Sequence, residues 1–348
     1  MENTIDIKNW KTGKIIFSYT CEDNTIEKTL RIANYETDLK YADLRNLDLS
    51  NAKLSSINLA HANFSNSIMI GIRLDFAKLN SAIFNNVNMS DSSLYCAKLN
   101  NCIINNANLF NCYLTGSNLS RSTLHNVKLA KSNMFKVKLN NANIKNTNLN
   151  NINFHDAKIN NTHFENCSIS KAFLEGIKLF DCILNQCDLS RSRLAYSNLL
   201  NSKFINVNFK HATLFNAILP DLYSNNIIGL NYQCPKEGSF IGWKKCYTIY
   251  KYPYKCCPYI VKLEIPADAK RSLCTSIRCR CDKAKVIEIQ NLDGTKADID
   301  EVQLRYKPNF KYKVGEIIEV SDFDKIYQKK YASVIYFFMN RGNAIIFN

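Results

Sequence analysis

Residues 37–66 read TDLKY ADLRN LDLSN AKLSS INLAH ANFSN, and the third residue of each group is Leu39, Leu44, Leu49, Leu54, Leu59 or Phe64. The same frame holds for thirty-seven consecutive pentapeptides and ends with Leu219. Every central residue is Leu, Ile, Met or Phe. The residue two places earlier is mostly Ala, Ser, Cys or Thr, as at Ala42, Ala62, Ser92 and Cys102, with some Val or Ile and one Leu, Leu47. A helix stripe recurs about every 3.6 residues and a strand face about every 2, so a strict period of five fits neither. It requires a chain that turns a corner every fifth residue and stacks on itself.

With the central residue named i, positions i and i−2 point inward. Positions i−1, i+1 and i+2 point outward and hold Asn, Asp, Ser, Lys and Arg. Asparagine suits the corners because it tolerates unusual backbone angles and bonds its own chain. The inward assignment predicts that Leu129→Asp collapses the coils around it, while Asn126→Asp at a corner is nearly silent.

Ala42-Asp43-Leu44-Arg45-Asn46, Ala62-Asn63-Phe64-Ser65-Asn66 and Ala142-Asn143-Ile144-Lys145-Asn146 match the A(D/N)LXX motif, and over half the chain resembles the pentapeptide-repeat family. The resemblance implies an all-β solenoid, a right-handed quadrilateral β-helix with four pentapeptides per coil. That gives about nine coils and a rod roughly 44 Å long at the spacing of paired strands. With four sides, residues twenty apart share a side. The side of Leu44 and Phe64 also carries Phe84, Phe164 and Phe204, and its i−2 positions hold only small residues, which keeps interior volume even. Phe154 and Phe209 depart from this rule beside Ile152 and Val207.

Three segments are expected: a cap at 1–36, the β-helix at 37–220 and a C-terminal domain at 221–348. In the first, Ile5–Ile7 and Lys14–Phe17 flank a turn, and Asp23-Asn24-Thr25, which offers an N-cap, precedes an amphipathic turn or two through Ile26, Leu30 and Ala33. A stacked coil needs such a cover over its first turn. The period stops at Pro220-Asp221. Beyond it, Phe240–Trp243, Tyr259–Pro266, Lys285–Ile289 and Glu316–Val320 alternate like strands, with a turn at Asp293-Gly294, and predict a β-rich α+β domain. GSFIGWKKC, IVKLEIPADAKRS and CRCDKAKVIEI resemble a domain of unknown function found beside pentapeptide repeats in phage, bacterial and large-virus proteins. That family ends in a Cys-x-x-Gly-Ile-His-Phe-Phe-like segment. Here Tyr331, Val334 and Tyr336 stand in place of its Cys, Gly and His.

Net charge is +15, made of −1 over 1–36, +9 over 37–220 and +7 over 221–348. Some pentapeptide-repeat proteins act on DNA gyrase by mimicking duplex DNA. Such mimicry needs an acidic surface, and the positive sign disfavours it here. No apolar run approaches the roughly eighteen residues of a membrane span. The N-terminus MENTIDIKNWKTGK has no signal-peptide pattern. The expected location is a cytoplasm (the host's, if the source is a virus), not a secretory compartment. Cys102, Cys112, Cys167, Cys182 and Cys187 fall in the small inward slot and read as reduced fillers.

All five histidines, His61, His125, His155, His163 and His211, fall on outward positions of the repeat. The C-terminal domain has none, so no Ser-His or Cys-His nucleophile can be built within it. Its Cys246, Cys256, Cys257, Cys274, Cys279 and Cys281 could in principle supply a Cys₄ zinc site, but no CxxC knuckle is present and buried thiols are the expected state. No P-loop or GxGxxG motif occurs. The sequence therefore assigns no catalytic residue, no cofactor and no metal, with an activity in the C-terminal domain as the enzyme alternative.

Two outward series remain. Lys78, Lys98, Lys138, Lys158 and Lys178 occupy i−1 on one side and form a candidate basic face. Phe76, Tyr95, Tyr113, Phe135, Phe173, Tyr196 and Phe215 fall on or beside an adjacent side as a candidate interaction row. The expected function is a non-catalytic structural or protein-interaction scaffold. The alternative is binding of nucleic acid through the basic face.

Overall fold

Leu49 O accepts from Ala52 N at 3.1 Å, closing a four-residue turn. Asn51, inside that turn, has φ +60. This is the corner of the coil, and it recurs through the repeat: Asn46, Asn66, Asn86, Asn106 and Asn126 all have positive φ. The left-handed residue is therefore i+2. Asparagine adopts that region more readily than most side chains, which explains its abundance there. The same conformation is imposed on Phe76, Lys171, Arg191 and Tyr196.

The computed structural model describes residues 2–215, 217–220, 226–230, 234–235, 237–249, 256–272, 278–305, 307–321, 323 and 334–346. Contacts divide the chain into two compact units, Met1–Leu230 and Asn231–Asn348.

In the first unit the register advances by twenty residues per coil. One side runs through Asp43, Asn63, Ile83, Ile103, Thr123, Asn143, His163, Ile183 and Lys203, nine parallel rungs. The twenty-residue step means four pentapeptides per coil, so the β-helix is quadrilateral. Both neighbours are used: Leu44 N donates to Asn63 O at 2.9 Å, and Asn63 N donates to Ala42 O at 3.0 Å.

The interior is apolar and dry. Leu129, Leu139, Leu149 and Phe154 are each at most 1 % exposed. Phe64 and Phe84 stack with ring centres 4.9 Å apart and planes 4° from parallel. The small i−2 residues do more than fill space. Ser122 Oγ donates to Leu99 O at 2.7 Å, Thr162 Oγ1 to Leu139 O at 2.7 Å and Cys102 Sγ to Leu79 O at 3.0 Å. In these three the inward side chain reaches a central carbonyl of the preceding coil, so burial does not leave the donor unpaired, whereas the buried Ser197 Oγ has no partner among the described residues.

The first coil is covered by an antiparallel hairpin, Glu2–Lys8 with Ile15–Glu22, followed by the helix Ile26–Glu36. Thr25 caps that helix by accepting from Lys28 N at 3.2 Å. Ile7, Leu30 and Ala33 are buried in the same core as the coils. The hairpin docks through Asp43 N to Lys8 O at 2.7 Å and Trp10 N to Tyr41 O at 2.9 Å. At the other end the period stops at Leu219, but the ladder continues. Ile228 bridges Asn208, and its N donates to Val207 O at 3.0 Å. Gly229 then crosses Lys210 so closely that a Cβ would lie 2.4 Å from the Lys210 Cα.

The second unit is built on one sheet. Its order is Arg271–Ser272, Arg278–Cys281, Ile335–Phe338, Phe240–Ile249, Cys256–Ile265, Lys283–Gln290 and Ile317–Glu319. Glu301–Leu304 pairs with Phe240–Ile249 and with Lys307–Lys313. All four strands expected from alternation are present. The remaining strands add to that expectation, and the helix Arg341–Ile346 supplies the α part of the α+β domain. Gly242 lies under the Phe337 ring, where a Cβ would come within 2.6 Å of Cδ2.

Candidate functional site

The side that carries the lysine series is a continuous parallel ladder in which Lys78 bridges Lys98, Lys98 bridges Asn118 and Asn118 bridges Lys138. Lys138 bridges Lys158, and Lys178 continues to Asn198. All five lysines are exposed. Among the described residues none of them forms a salt bridge. Asn118 divides the series into a pair and a run of three. Like charges one rung apart repel. With no ion pair to hold them among the described residues, these lysines are open to anionic partners.

The aromatic series falls on three different repeat positions. Tyr113 and Phe173 are at i−1, Tyr95, Phe135 and Phe215 at i+1, and Phe76 and Tyr196 at the left-handed corner. The structure therefore breaks the series into separate contacts. Phe76 meets Tyr95 edge-on at 5.2 Å and Tyr196 meets Phe215 edge-on at 5.6 Å. Phe135 stacks on His155 at 5.7 Å, and the Arg193 guanidinium lies 5.4 Å over Phe173. Six of the seven rings are more than a third exposed, Tyr196 most of all at 63 %; Phe135 is partly covered. Lys136 Nζ is 4.8 Å from the Phe135 ring centre. The pattern is discrete aromatic knobs along one side, two of them, Phe135 and Phe173, capped by cations.

The five histidines are all at least partly exposed. Lys145 and Glu165, on the side of His125 and His163, pair at 2.9 Å, which holds the Glu165 carboxyl below its ordinary range.

In the second unit, a group of buried polar residues surrounds Lys244. Its Nζ donates to Tyr336 O at 2.8 Å and lies 5.6 Å from the Tyr312 ring centre. Burial pushes the Cys246 thiol up to about 12 and raises Tyr312 well above its usual value. Among the described residues no three His, Cys, Asp or Glu side chains are grouped to hold a metal. Cys246, Cys279 and Cys281 are buried and in no disulfide among the described residues, and Cys257 is partly exposed. Cys274, the Cys256 side chain and Tyr331 lie outside the described residues. Arg271 is almost fully buried and serves architecture. Its guanidinium donates to the carbonyls of Gly238 at 3.0 Å, Pro266 at 2.8 Å, Ala267 at 2.9 Å, Ala269 at 3.2 Å and Pro235 at 3.3 Å. Among the described residues no helix is long and apolar enough to cross a membrane.

A four-sided β-helix with left-handed corners every five residues defines a pentapeptide-repeat solenoid. Models of pentapeptide repeats (8 copies) match in overlapping stretches from residue 35 to residue 219, and the chain belongs to that family. Residues 230–344 match a family of unknown function (DUF5758). Among solved structures, the chain is similar to HetL, a pentapeptide-repeat protein involved in heterocyst differentiation regulation from the cyanobacterium Nostoc sp. strain PCC 7120. Identity is 21 %, covering 57 % of this chain and 89 % of HetL, with TM-score 0.37. It is also similar to QnrB1, a plasmid-mediated fluoroquinolone resistance protein, at 14 % identity over 52 % of this chain and 95 % of QnrB1, with TM-score 0.31. Rfr23 from the cyanobacterium Cyanothece 51142 matches at 16 % identity over 52 % and 90 % of the two chains, with TM-score 0.20. No curated protein matches the chain.

Proposed function

We propose that this protein is a non-catalytic scaffold that docks a protein partner on the aromatic side of its β-helix. The observation that carries the reading is the exposure of Phe76, Tyr95, Tyr113, Phe173, Tyr196 and Phe215 along one side of a backbone fixed by interchain-like rungs. Exposed aromatic side chains on a rigid support make binding anchors at small entropic cost. The absence of histidine from residues 221–348 and the burial of Lys244, Cys246 and Tyr312 agree with a non-catalytic role for the second unit. The proposed location is a reducing cytoplasm, a reading supported by the buried free thiols Cys102, Cys112, Cys182 and Cys187.

A second reading has its own observation. The five exposed lysines on another side fit a polyanion such as nucleic acid. The experiment that separates the two is affinity capture from host lysate with three proteins. They are the wild type, a Phe76→Ser/Tyr196→Ser variant and a Lys98→Glu/Lys158→Glu variant. Loss of a protein partner in the first variant alone supports aromatic docking. Loss of nucleic acid in the second variant alone supports the basic side.

A further inference from the structure

The corner between two sides of the β-helix carries a different kind of surface near its C-terminal end. The i+2 residues along this corner are Asn51, Gly71, Asp91, Asn111, Lys131 and Asn151 in the earlier coils, then Lys171, Arg191 and His211 in the last three. Two permanent cations, Lys171 and Arg191, and the imidazole of His211 thus occupy three successive rungs. Their φ angles are +56, +59 and +62, so the three side chains leave the backbone in the same direction. Their heights differ by one strand spacing each, about 4.8 Å.

These residues line a cavity of about 320 Å³ together with Lys210. Ser170, Ser190 and Asn208 complete its wall. Among the described residues, Lys171, Arg191 and Lys210 form no salt bridge. The carboxylate of the local network is Asp188, and its Oδ1 is already occupied, accepting from Ser190 N at 3.0 Å and Asn208 Nδ2 at 2.9 Å. The corner amides of Lys171 and Arg191 are already used: Lys171 N donates to Ser190 O at 3.0 Å and Arg191 N to Lys210 O at 2.9 Å. What the cavity offers is three permanent cations, an imidazole and hydroxyls, all converging on one concavity. A planar guanidinium with flanking ammonium groups matches a tetrahedral oxyanion.

We propose that this corner binds the phosphoryl groups of a ligand. The stack fixes the backbone positions from which the cations project, one strand spacing apart, so the ligand meets a regular array of charges. Two sources supply the same chemistry, a nucleic-acid strand or a small phosphate compound. Phe173, exposed two residues beyond Lys171 and capped by Arg193, offers a stacking surface on the next side for the first of these.

The test uses the full chain and two probes. Fluorescence anisotropy with labelled twenty-residue oligothymidylate measures strand binding in low and physiological salt, and calorimetry with inorganic pyrophosphate measures binding of a small phosphate. The variants are Lys171→Ala/Arg191→Ala at the corner and Lys53→Ala/Lys203→Ala away from both the corner and the lysine side. All four side chains are exposed, and melting temperature checks that the folds are intact; Arg191→Gln alone serves if the corner pair melts early. The expected result is binding of one probe or both by the wild type. Affinity falls at least tenfold in the corner variant and changes less than twofold in the Lys53/Lys203 variant. Binding of oligothymidylate alone, weakened steeply by salt, identifies a strand as the source. Pyrophosphate binding of equal strength identifies a small phosphate. Failure of the wild type to bind either probe overturns the proposal, as does a corner variant that binds as the wild type does.

Discussion

Asn126 Nδ2 donates to Asn106 Oδ1 at 2.9 Å, one coil away along the same corner. The relationship extends downward: Asn106 donates to Asn86 at 3.2 Å, Asn86 to Asn66 at 3.0 Å and Asn66 to Asn46 at 3.1 Å. Asparagine at this corner both accepts the left-handed conformation and bonds the next coil. Asn126→Asp replaces the donor with a carboxylate facing the Asn106 oxygen. The expected loss is about 1 kcal/mol, more than the near-silence that its exposed position alone suggests. Leu129→Asp, three residues on and 1 % exposed, buries an unpaired charge and should cost at least about 4 kcal/mol. Thermal denaturation of the two variants checks the difference; equal losses contradict the inward and outward assignment.

Arg271 supports the loops of the second unit with five carbonyl contacts and also lies 5.1 Å over the Phe240 ring. Lysine keeps the charge but has only three donors on one atom and cannot span that ring of acceptors. Arg271→Lys should lower stability by about 2–3 kcal/mol. Denaturant unfolding followed by Trp243 fluorescence reads the loss. A midpoint unchanged from wild type would show that the carbonyl cage does not hold the unit together.

Cys102, Cys112 and Cys246 have thiols pushed up to about 12 by burial. In the unfolded chain a thiol titrates near about 8.5. A raised folded value means that the stabilisation is complete below the unfolded value and is lost as pH rises toward the folded one. Stability should therefore fall between about pH 8.5 and 12. At pH 8 these three cysteines should resist iodoacetamide until denaturant is added, as peptide mass spectrometry would read. Rapid native labelling of Cys102 or Cys112 would mean that the interior is open.

Gly229 has φ +79 and passes against the Lys210 backbone. A methyl group has no room there, so Gly229→Ala should displace the final rung. Hydrogen exchange at the Ile228 amide, which donates to Val207 O, should accelerate while exchange in the middle coils stays as in wild type. Unchanged protection at Ile228 would show that the last rung does not depend on this close approach.

The coil was legible because one residue in five, from Leu39 to Leu219, had to meet a dry axis. The Thr25 cap and the alternating strands around Ile260 and Val286 were legible for the same local reasons. The rung at Ile228 was not, because it forms from a stretch without the period and is recognisable only by its backbone partners. The aromatic series looked continuous in sequence. The structure divides it, because positions i−1, i+1 and i+2 place side chains at different points around a corner. The corner residues Lys171, Arg191 and His211 lay in the sequence at steps of twenty. The signal that could have found them was the column of i+2 residues, read side by side once i+2 is known to be the left-handed corner.

Quantitative cross-linking mass spectrometry in host lysate tests the scaffold claim most directly, comparing the wild type with Phe76→Ser/Tyr196→Ser. The predicted result is a protein partner cross-linked to lysines near the aromatic side, such as Lys136, and lost from the variant while the melting temperature holds. Recovery of the same partner, at the same yield and through the same residues, from both proteins would contradict it.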